Sequence, residues 1–256
     1  MTPGETRCGN TEFDTMADYD GLVRLDLGAY GLEQRRDIRS IRRYLPDGAK
    51  MLDVGCGVGL PSRDLARYFD VEACDIPSWN GRPTEFVEMV MKLRKIPFRW
   101  SKPFELPYED GTFDGVMLYA VLEHVKEKTR FLNEVRRVLK PGGKIFAFRM
   151  VNRLSFAEKL ADLLGVVNHG EEVVTRKMLR DALEESGFRC LAMERQGWLP
   201  ENGLPKWIIY PLNKLLCRIP GIACFCHDFR FVAEIRGAPP LTSSGTGTPD
   251  AQTPRT

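Results

Sequence analysis

The chain has 256 residues, 43% hydrophobic and 28% charged, with a formal net charge of +2. That length holds one α/β domain with appendages, and the proportions suit a soluble globular protein rather than a fibrous or disordered one. So small a net charge gives no grounds for a nucleic-acid partner; the basic run Arg35, Arg36, Arg39, Arg42 and Arg43 falls at helical spacing and reads as a solvated helix face.

In chain order, residues 1–48 read as an arm followed by a helix. The first 15 or so residues are polar and expected to be loose. A helix is expected over 33–45, with Ile38, Ile41, Tyr44 and Leu45 on its apolar face and Pro46-Asp47-Gly48 as its stop. From 49 the pattern alternates strand and helix, which implies a mostly parallel sheet with helices on both faces. Strands are expected at 50–54, 71–75, 98–100, 113–119 and 143–150, and helices at 61–68, 84–95 and 129–139. Thr129 is the expected N-cap of the last helix, and Pro141-Gly142-Gly143 its stop and the turn into the next strand.

Residues 151–174 break this rhythm. An insertion there follows the fifth strand, at the sheet edge where open α/β folds bind ligands, and is expected to cap that edge. Thr175 to Ser186 returns to helix, with Met178, Leu179, Ala182 and Leu183 inward and Gly187 as C-cap. Residues 188–193 and 229–235 are the last two strands of a domain spanning 49–236. The tail at 237–256 is rich in Pro, Ser, Thr and Gly and is expected to be disordered. The apolar stretch 198–226 carries two prolines, a lysine and an arginine within 207–220, which do not suit a membrane span. It reads as an amphipathic helix covering the sheet or the active site. A membrane-surface or lipid-substrate element with Trp207, Tyr210, Lys214 and Arg218 at the interface is a second reading, and a dimer contact a third.

Seven cysteines, with no secretory signal in Met1 to Asn10, point to free thiols in a reducing cytoplasm. Cys217, Cys224, Cys226 and His227 lack the paired Cys-x-x-Cys spacing of a zinc site, so they read as a buried apolar segment and no metal is expected.

The chemistry-bearing motif is Asp53-Val54-Gly55-Cys56-Gly57-Val58-Gly59, a strand ending in an acid and a glycine turn. A dinucleotide fingerprint would be Gly-x-Gly-x-x-Gly, but Leu60 stands where its third glycine belongs. Twenty residues after Gly55, Asp75 ends a second strand, where a carboxylate can accept both hydroxyls of a ribose. Leu106-Pro107-Tyr108-Glu109-Asp110-Gly111-Thr112-Phe113-Asp114, Val121-Leu122-Glu123-His124-Val125 and Glu134 to Gly143 follow. In this order the motifs resemble the class I S-adenosylmethionine (SAM) methyltransferases, in the branch of ubiquinone and menaquinone biosynthesis enzymes and many small-molecule methyltransferases. The resemblance is good over 48–150 and moderate over 171–194.

It implies a Rossmann-like, seven-stranded, mostly parallel sheet whose last strand is antiparallel and lies between the fifth and sixth. It also implies SAM as cofactor, and transfer of its methyl group to a small-molecule acceptor. Asp53 would anchor the turn near the amino-acid end of SAM. The backbone at Gly55, Cys56 and Gly57 would approach the amino-acid and ribose parts. Asp75 would hold the ribose, Ile76 would lie against the adenine, and Tyr119 would face the methionine portion. The family's Asp-Ala pair before Leu-Pro is absent from Ser101-Lys102-Pro103-Phe104-Glu105, and Phe104 is expected to stack on the adenine instead. His124, His169 and Tyr119 are the candidate catalytic groups, with Glu123 comparable. For His124 a loop-ordering hydrogen bond is the favoured reading and a base near the methyl group the alternative. Two rival functions remain: a SAM-binding subunit or regulator without turnover, and a nicotinamide-dependent oxidoreductase, which the glycine spacing disfavours. The apolar content of 198–226 suggests a hydrophobic or lipid-like acceptor, and the same segment suggests peripheral membrane contact.

Overall fold

In a computed structural model of the protein the described residues are 29–77, 84–156, 159, 174–197, 206–219 and 221–237. Helix α1 (Ala29–Ile41) leads into β1 (Lys50–Val54), α2 (Leu60–Leu65), β2 (Asp70–Asp75), α3 (Thr84–Leu93) and β3 (Phe98–Trp100). Then come β4 (Phe113–Tyr119), α4 (Lys128–Val138), β5 (Leu139–Val151), α5 (Arg176–Glu185), β6 (Phe188–Gln196), α6 (Lys206–Leu216) and β7 (Asp228–Ile235). The strands form one seven-stranded sheet in the order β3-β2-β1-β4-β5-β7-β6. β7 is antiparallel to both its neighbours, and the pairs from β3 to β5 are parallel. The order reverses between β1 and β4, which opens a crevice at their carboxyl ends.

Strand side chains alternate between faces, and each face is apolar because helices cover both. Met51 and Met117 pack with Ile38 and Ile41 near α1, Leu65 of α2, and Val87 and Met91 of α3. Leu52, Val54, Val116 and Leu118 face the other way, onto Phe131, Leu132 and Val135 of α4 and Leu179 and Leu183 of α5. Fully burying one such side chain is worth roughly 1.5–3 kcal/mol, so these two layers hold the sheet edge rigid.

Four local expectations are corrected. The first helix spans Ala29–Ile41 rather than 33–45, and residues 42–45 turn, although Leu45 is still buried. Thr129 does not cap α4: the residue before the helix is Glu127, and the Thr129 hydroxyl, already inside the first turn, donates to Glu185 Oε2 at 2.8 Å. Pro141-Gly142-Gly143 does not precede the strand. Leu139 pairs with Phe113 and Lys144 with Gly115, so these residues loop out within β5, with Gly142 at φ +79°. Met178 is 41% exposed, because α5 turns Leu179, Ala182 and Leu183 inward while Met178 sits at the edge of that stripe. Thr175 caps α5, its hydroxyl accepting from the Met178 N–H, and Gly187 follows at φ +74°. The expectations for 1–15, for most of the insertion, including His169, and for the tail beyond 237 lie outside the described residues.

Candidate active site

The glycine turn leaves β1 at the crevice. Gly55 N–H donates to Cys74 O at 2.8 Å, which ties the turn to β2. Gly55 has φ +73°, and a Cβ there would come within 2.7 Å of Val121 Cγ2, so the loop after β4 needs glycine at this point. Gly57, at φ +54°, donates its N–H to Asp75 Oδ2 at 2.7 Å, and Ile76 N–H donates to Asp75 Oδ1 at 2.7 Å. The carboxylate at the end of β2 is thus oriented by two backbone donors and is 8% exposed at the crevice.

Asp53 plays a different part. It is fully buried and absent from the crevice wall, because its side chain points to the face that carries α2. There Asp53 Oδ2 accepts from Ser62 Oγ at 2.5 Å, which pins the helix after the turn to β1. Burial pushes its carboxyl up to about 7, against the Ser62 hydrogen bond and with help from the Asp75 charge. Cys56 is 4% exposed; burial first, then Asp53 and Asp75, drives its thiol well above the usual range, so it fills space as a neutral group.

The cavity measures about 610 Å³. Gly55, Cys56, Gly57, Asp75 and Ile76 line one side, Ser101 to Phe104 another, and Tyr119, Val121 and His124 a third. The sheet register explains the convergence: Val54 pairs with Cys74 and Leu118, and Asp75 pairs with Trp100, so the residues just past four strands meet at one edge. Phe104 is half-buried, with the Arg130 guanidinium 4.4 Å from its ring centroid. Tyr119 is 6% exposed, its ring centroid 6.0 Å from that of Phe148. The turn after β4 begins at Ala120, a non-glycine at φ +55° whose N–H donates to Phe148 O. Such strain collects at functional edges because the surrounding structure must hold it. Backbone N–H of His124 donates to Val121 O at 3.0 Å, which orders the turn where His124 lines the cavity.

The structure therefore gathers every named cofactor residue except Asp53 around one cavity, together with His124 and Tyr119. Sequence reasoning passed over Ser101, Val125 and Phe131, which also line it. Ser101 had a usable signal: it is the first residue past β3, and its N–H donates to Asp75 O at 2.8 Å. The described part of 198–226 lines none of this cavity; α6 packs at the far half of the sheet.

Comparison with known proteins agrees with this geometry. Residues 52–147 match the family described as "Methyltransferase domain". Over 107 residues the chain is 35% identical to the chloroplastic tocopherol O-methyltransferase of Arabidopsis thaliana, covering 41% of this chain and 31% of that protein. Over 164 residues it is 32% identical to the ubiquinone biosynthesis O-methyltransferase of Xanthomonas axonopodis pv. citri, covering 63% of this chain and 65% of that protein. The chain thus spans less than two thirds of the length of these curated relatives. The phosphoethanolamine N-methyltransferase 2 of Haemonchus contortus, solved in complex with S-adenosyl-L-methionine, shares the fold with a TM-score of 0.53 at 17% identity, covering 84% of this chain and 59% of that one. The similarity over residues 52–147 is therefore to a methyltransferase domain, carried on the seven-stranded sheet that the chain shares with the SAM-bound Haemonchus enzyme.

Proposed function

We propose that the protein is an enzyme that transfers the methyl group of SAM to a small, hydrophobic or lipid-like acceptor. The observation that carries this reading is the Asp75 carboxylate, presented at the cavity by the Gly57 and Ile76 N–H groups. The residues fit the cofactor. A carboxylate oxygen accepts more than one hydrogen bond, so Asp75 can take two vicinal ribose hydroxyls while it keeps its backbone donors. Gly55 and Gly57 let backbone approach closely on one side, and Ile76 and Phe104 offer apolar faces for a purine on the other. When bound, SAM supplies an activated methyl group for in-line displacement.

The chain's own contribution is then alignment and exclusion of water. Val54, Pro61, Val87, Leu106, Val121 and Phe131 give the cavity a largely apolar wall. Tyr119 and His124 are the proposed groups nearest the reacting atoms, His124 ordering the loop or taking a proton from an acidic acceptor. Relatives named for tocopherol, ubiquinone and sterol support an apolar acceptor. A reducing cytoplasmic location, supported by the odd cysteine count, and peripheral contact with a membrane through 198–226 belong to the same proposal.

The test is formation of S-adenosylhomocysteine from SAM by the full chain, offered a panel of quinols, phenolic lipids and sterols beside polar sugars and amines. Turnover confined to apolar acceptors supports the reading. Efficient turnover of a free sugar refutes the acceptor class. SAM binding with no turnover on any acceptor favours a SAM-binding subunit or regulator.

A further inference from the structure

A second cavity, of about 960 Å³, opens beside α6 toward the other end of the same sheet edge. It shares no lining residue with the first, and β4, β5 and β7 stand between β1 and β6 in the sheet. Being antiparallel to β7, β6 runs in the direction of β5, so Met193 to Gly197 reach the carboxyl edge here.

The charge of its wall is one-sided. Six lining side chains are cationic (Arg36, Arg176, Arg195, Lys214, Arg218 and Arg230), against two acidic ones, Glu33 and Glu194. Both acids are already matched: Glu33 lies 2.6 Å from Arg149, and Glu194 pairs with Arg230. Arg230 is held further by buried Asp37 at 3.0 Å. Arg176, Lys214 and Arg218 are exposed and have no carboxylate partner among the described residues.

Arg195 is the informative member. It is half-buried, and its Nε is shut off from solvent without a hydrogen-bond partner among the described residues. Its Nη2 meets Cys224 Sγ at 3.9 Å, and sulfur is a weak acceptor. The guanidinium of this lining residue thus meets a weak sulfur acceptor and no oxygen acceptor among the described residues, which leaves its charge unmatched at the cavity wall.

We propose that this cavity binds a phosphate-bearing ligand, gripped by Arg195 and neutralised by Arg176, Lys214 and Arg218. A phosphate carries up to two charges and several acceptor oxygens, which suits three guanidinium forks and an ammonium; a single carboxylate would leave most of that charge unmatched. Met193, Pro211 and Cys217 supply an apolar flank for the group that carries the phosphate. The phosphate can belong to a lipid headgroup or to a soluble compound.

Calorimetric titration of the full chain with inorganic pyrophosphate at fixed ionic strength tests the site. Co-sedimentation with phosphatidylcholine vesicles, with and without phosphatidic acid, tests the source. Arg195→Gln is expected to weaken binding of the active probe about tenfold or more, the size of one lost charge-assisted hydrogen bond. The exposed pair Lys214→Gln with Arg218→Gln, which leaves the core intact, is expected to weaken it as well. Arg42→Gln, outside the cavity, is expected to leave it unchanged. Vesicle binding that needs phosphatidic acid and fails in these variants assigns a headgroup; pyrophosphate binding alone, failing in the same variants, assigns a soluble phosphate. The inference is overturned if neither probe binds, or if both bind Arg195→Gln and the double variant as tightly as the wild type. SAM titrated in parallel is expected to bind all these variants unchanged, so the result stands apart from the methyl-transfer proposal.

Discussion

Between β1 and β4 the sheet edge ends in a glycine turn, one oriented carboxylate and an apolar wall, whereas past β5 it ends in guanidinium groups above a buried ion network. The first region is made by backbone: two N–H groups on Asp75 and left-handed glycines. The second is made by side chains from α1, α5, β6, α6 and β7, brought together by the sheet order. One edge of one sheet can therefore carry two chemistries, since the strands fix only where residues converge, and the residues themselves decide what they bind.

The sharpest way to break this contrast is at the turn. Gly57→Val puts a branched side chain at φ +54° beside the cavity. It is expected to cost SAM binding more than about 3 kcal/mol through strain and lost space, while the second cavity keeps its pyrophosphate affinity. Calorimetry with both ligands on one preparation reads this; intact SAM affinity would undo the assignment of the first region. Asp75→Ala comes next, and is expected to weaken SAM by about 1.5–3 kcal/mol, the range for hydrogen bonds to a charged group.

A comparable effect on stability, in the other half, is expected from Asn152→Ala. Asn152 Nδ2 donates to Cys224 O at 2.9 Å and Cys226 O at 2.8 Å, stitching the end of β5 to the segment before β7. Two carbonyls left wanting should cost about 1–3 kcal/mol, seen as a lower denaturant midpoint with unchanged SAM affinity. A loss of SAM binding in this variant would show that the halves are coupled.

A smaller effect concerns pH. Burial raises Asp53 to about 7 and Asp37 to about 6, the latter against the charge and hydrogen bond of Arg230. In both the folded chain holds a proton that the unfolded chain releases nearer the ordinary value of 3.8. Their contribution is full below that value and is lost as pH rises through about 6 to 7. Urea midpoints should therefore fall from mildly acidic to mildly alkaline buffer, and Asp53→Asn should flatten the fall. A midpoint that rises over this range and is indifferent to Asp53→Asn would contradict the burial argument. The last expectation is no effect at all: EDTA should leave methyl transfer intact, and activity restored by Mg²⁺ or Zn²⁺ after chelation would overturn it.

The legible parts of the chain were those where one local pattern has one physical cause. Asp53 to Gly59 announced the turn because glycines at that spacing serve backbone conformation, and strands β1 and β4 announced themselves through short apolar runs, Met51-Leu52 and Val116-Met117-Leu118-Tyr119, buried on both faces. The placement of Asp53 was not legible. Its spacing beside the turn suggested the cavity, but one step of strand alternation sends it to Ser62 instead. Pro141-Gly142-Gly143 read as a boundary because its turn chemistry is real; only pairing on both sides with β4 shows that the strand continues past it. The cationic cavity was legible only in pieces: Arg36 read as part of a solvated helix face and Lys214 with Arg218 as an interface, and no local pattern joins them to Arg176 and Arg195.

The insertion of β7 between β5 and β6 also bears on how the chain is made. β6 emerges from the ribosome well before Asp228–Ile235, yet among the described residues all of its sheet pairing is with that later segment. Until it arrives, β5 and β6 each present an open edge, the kind of surface that recruits a neighbouring nascent chain. The half with the glycine turn can close early, and the half with the cationic cavity closes last. Stalled chains released at residue 227 should therefore resist proteolysis through β4 and be cut within β6. Protection of β6 in such a chain would mean that it finds another partner first.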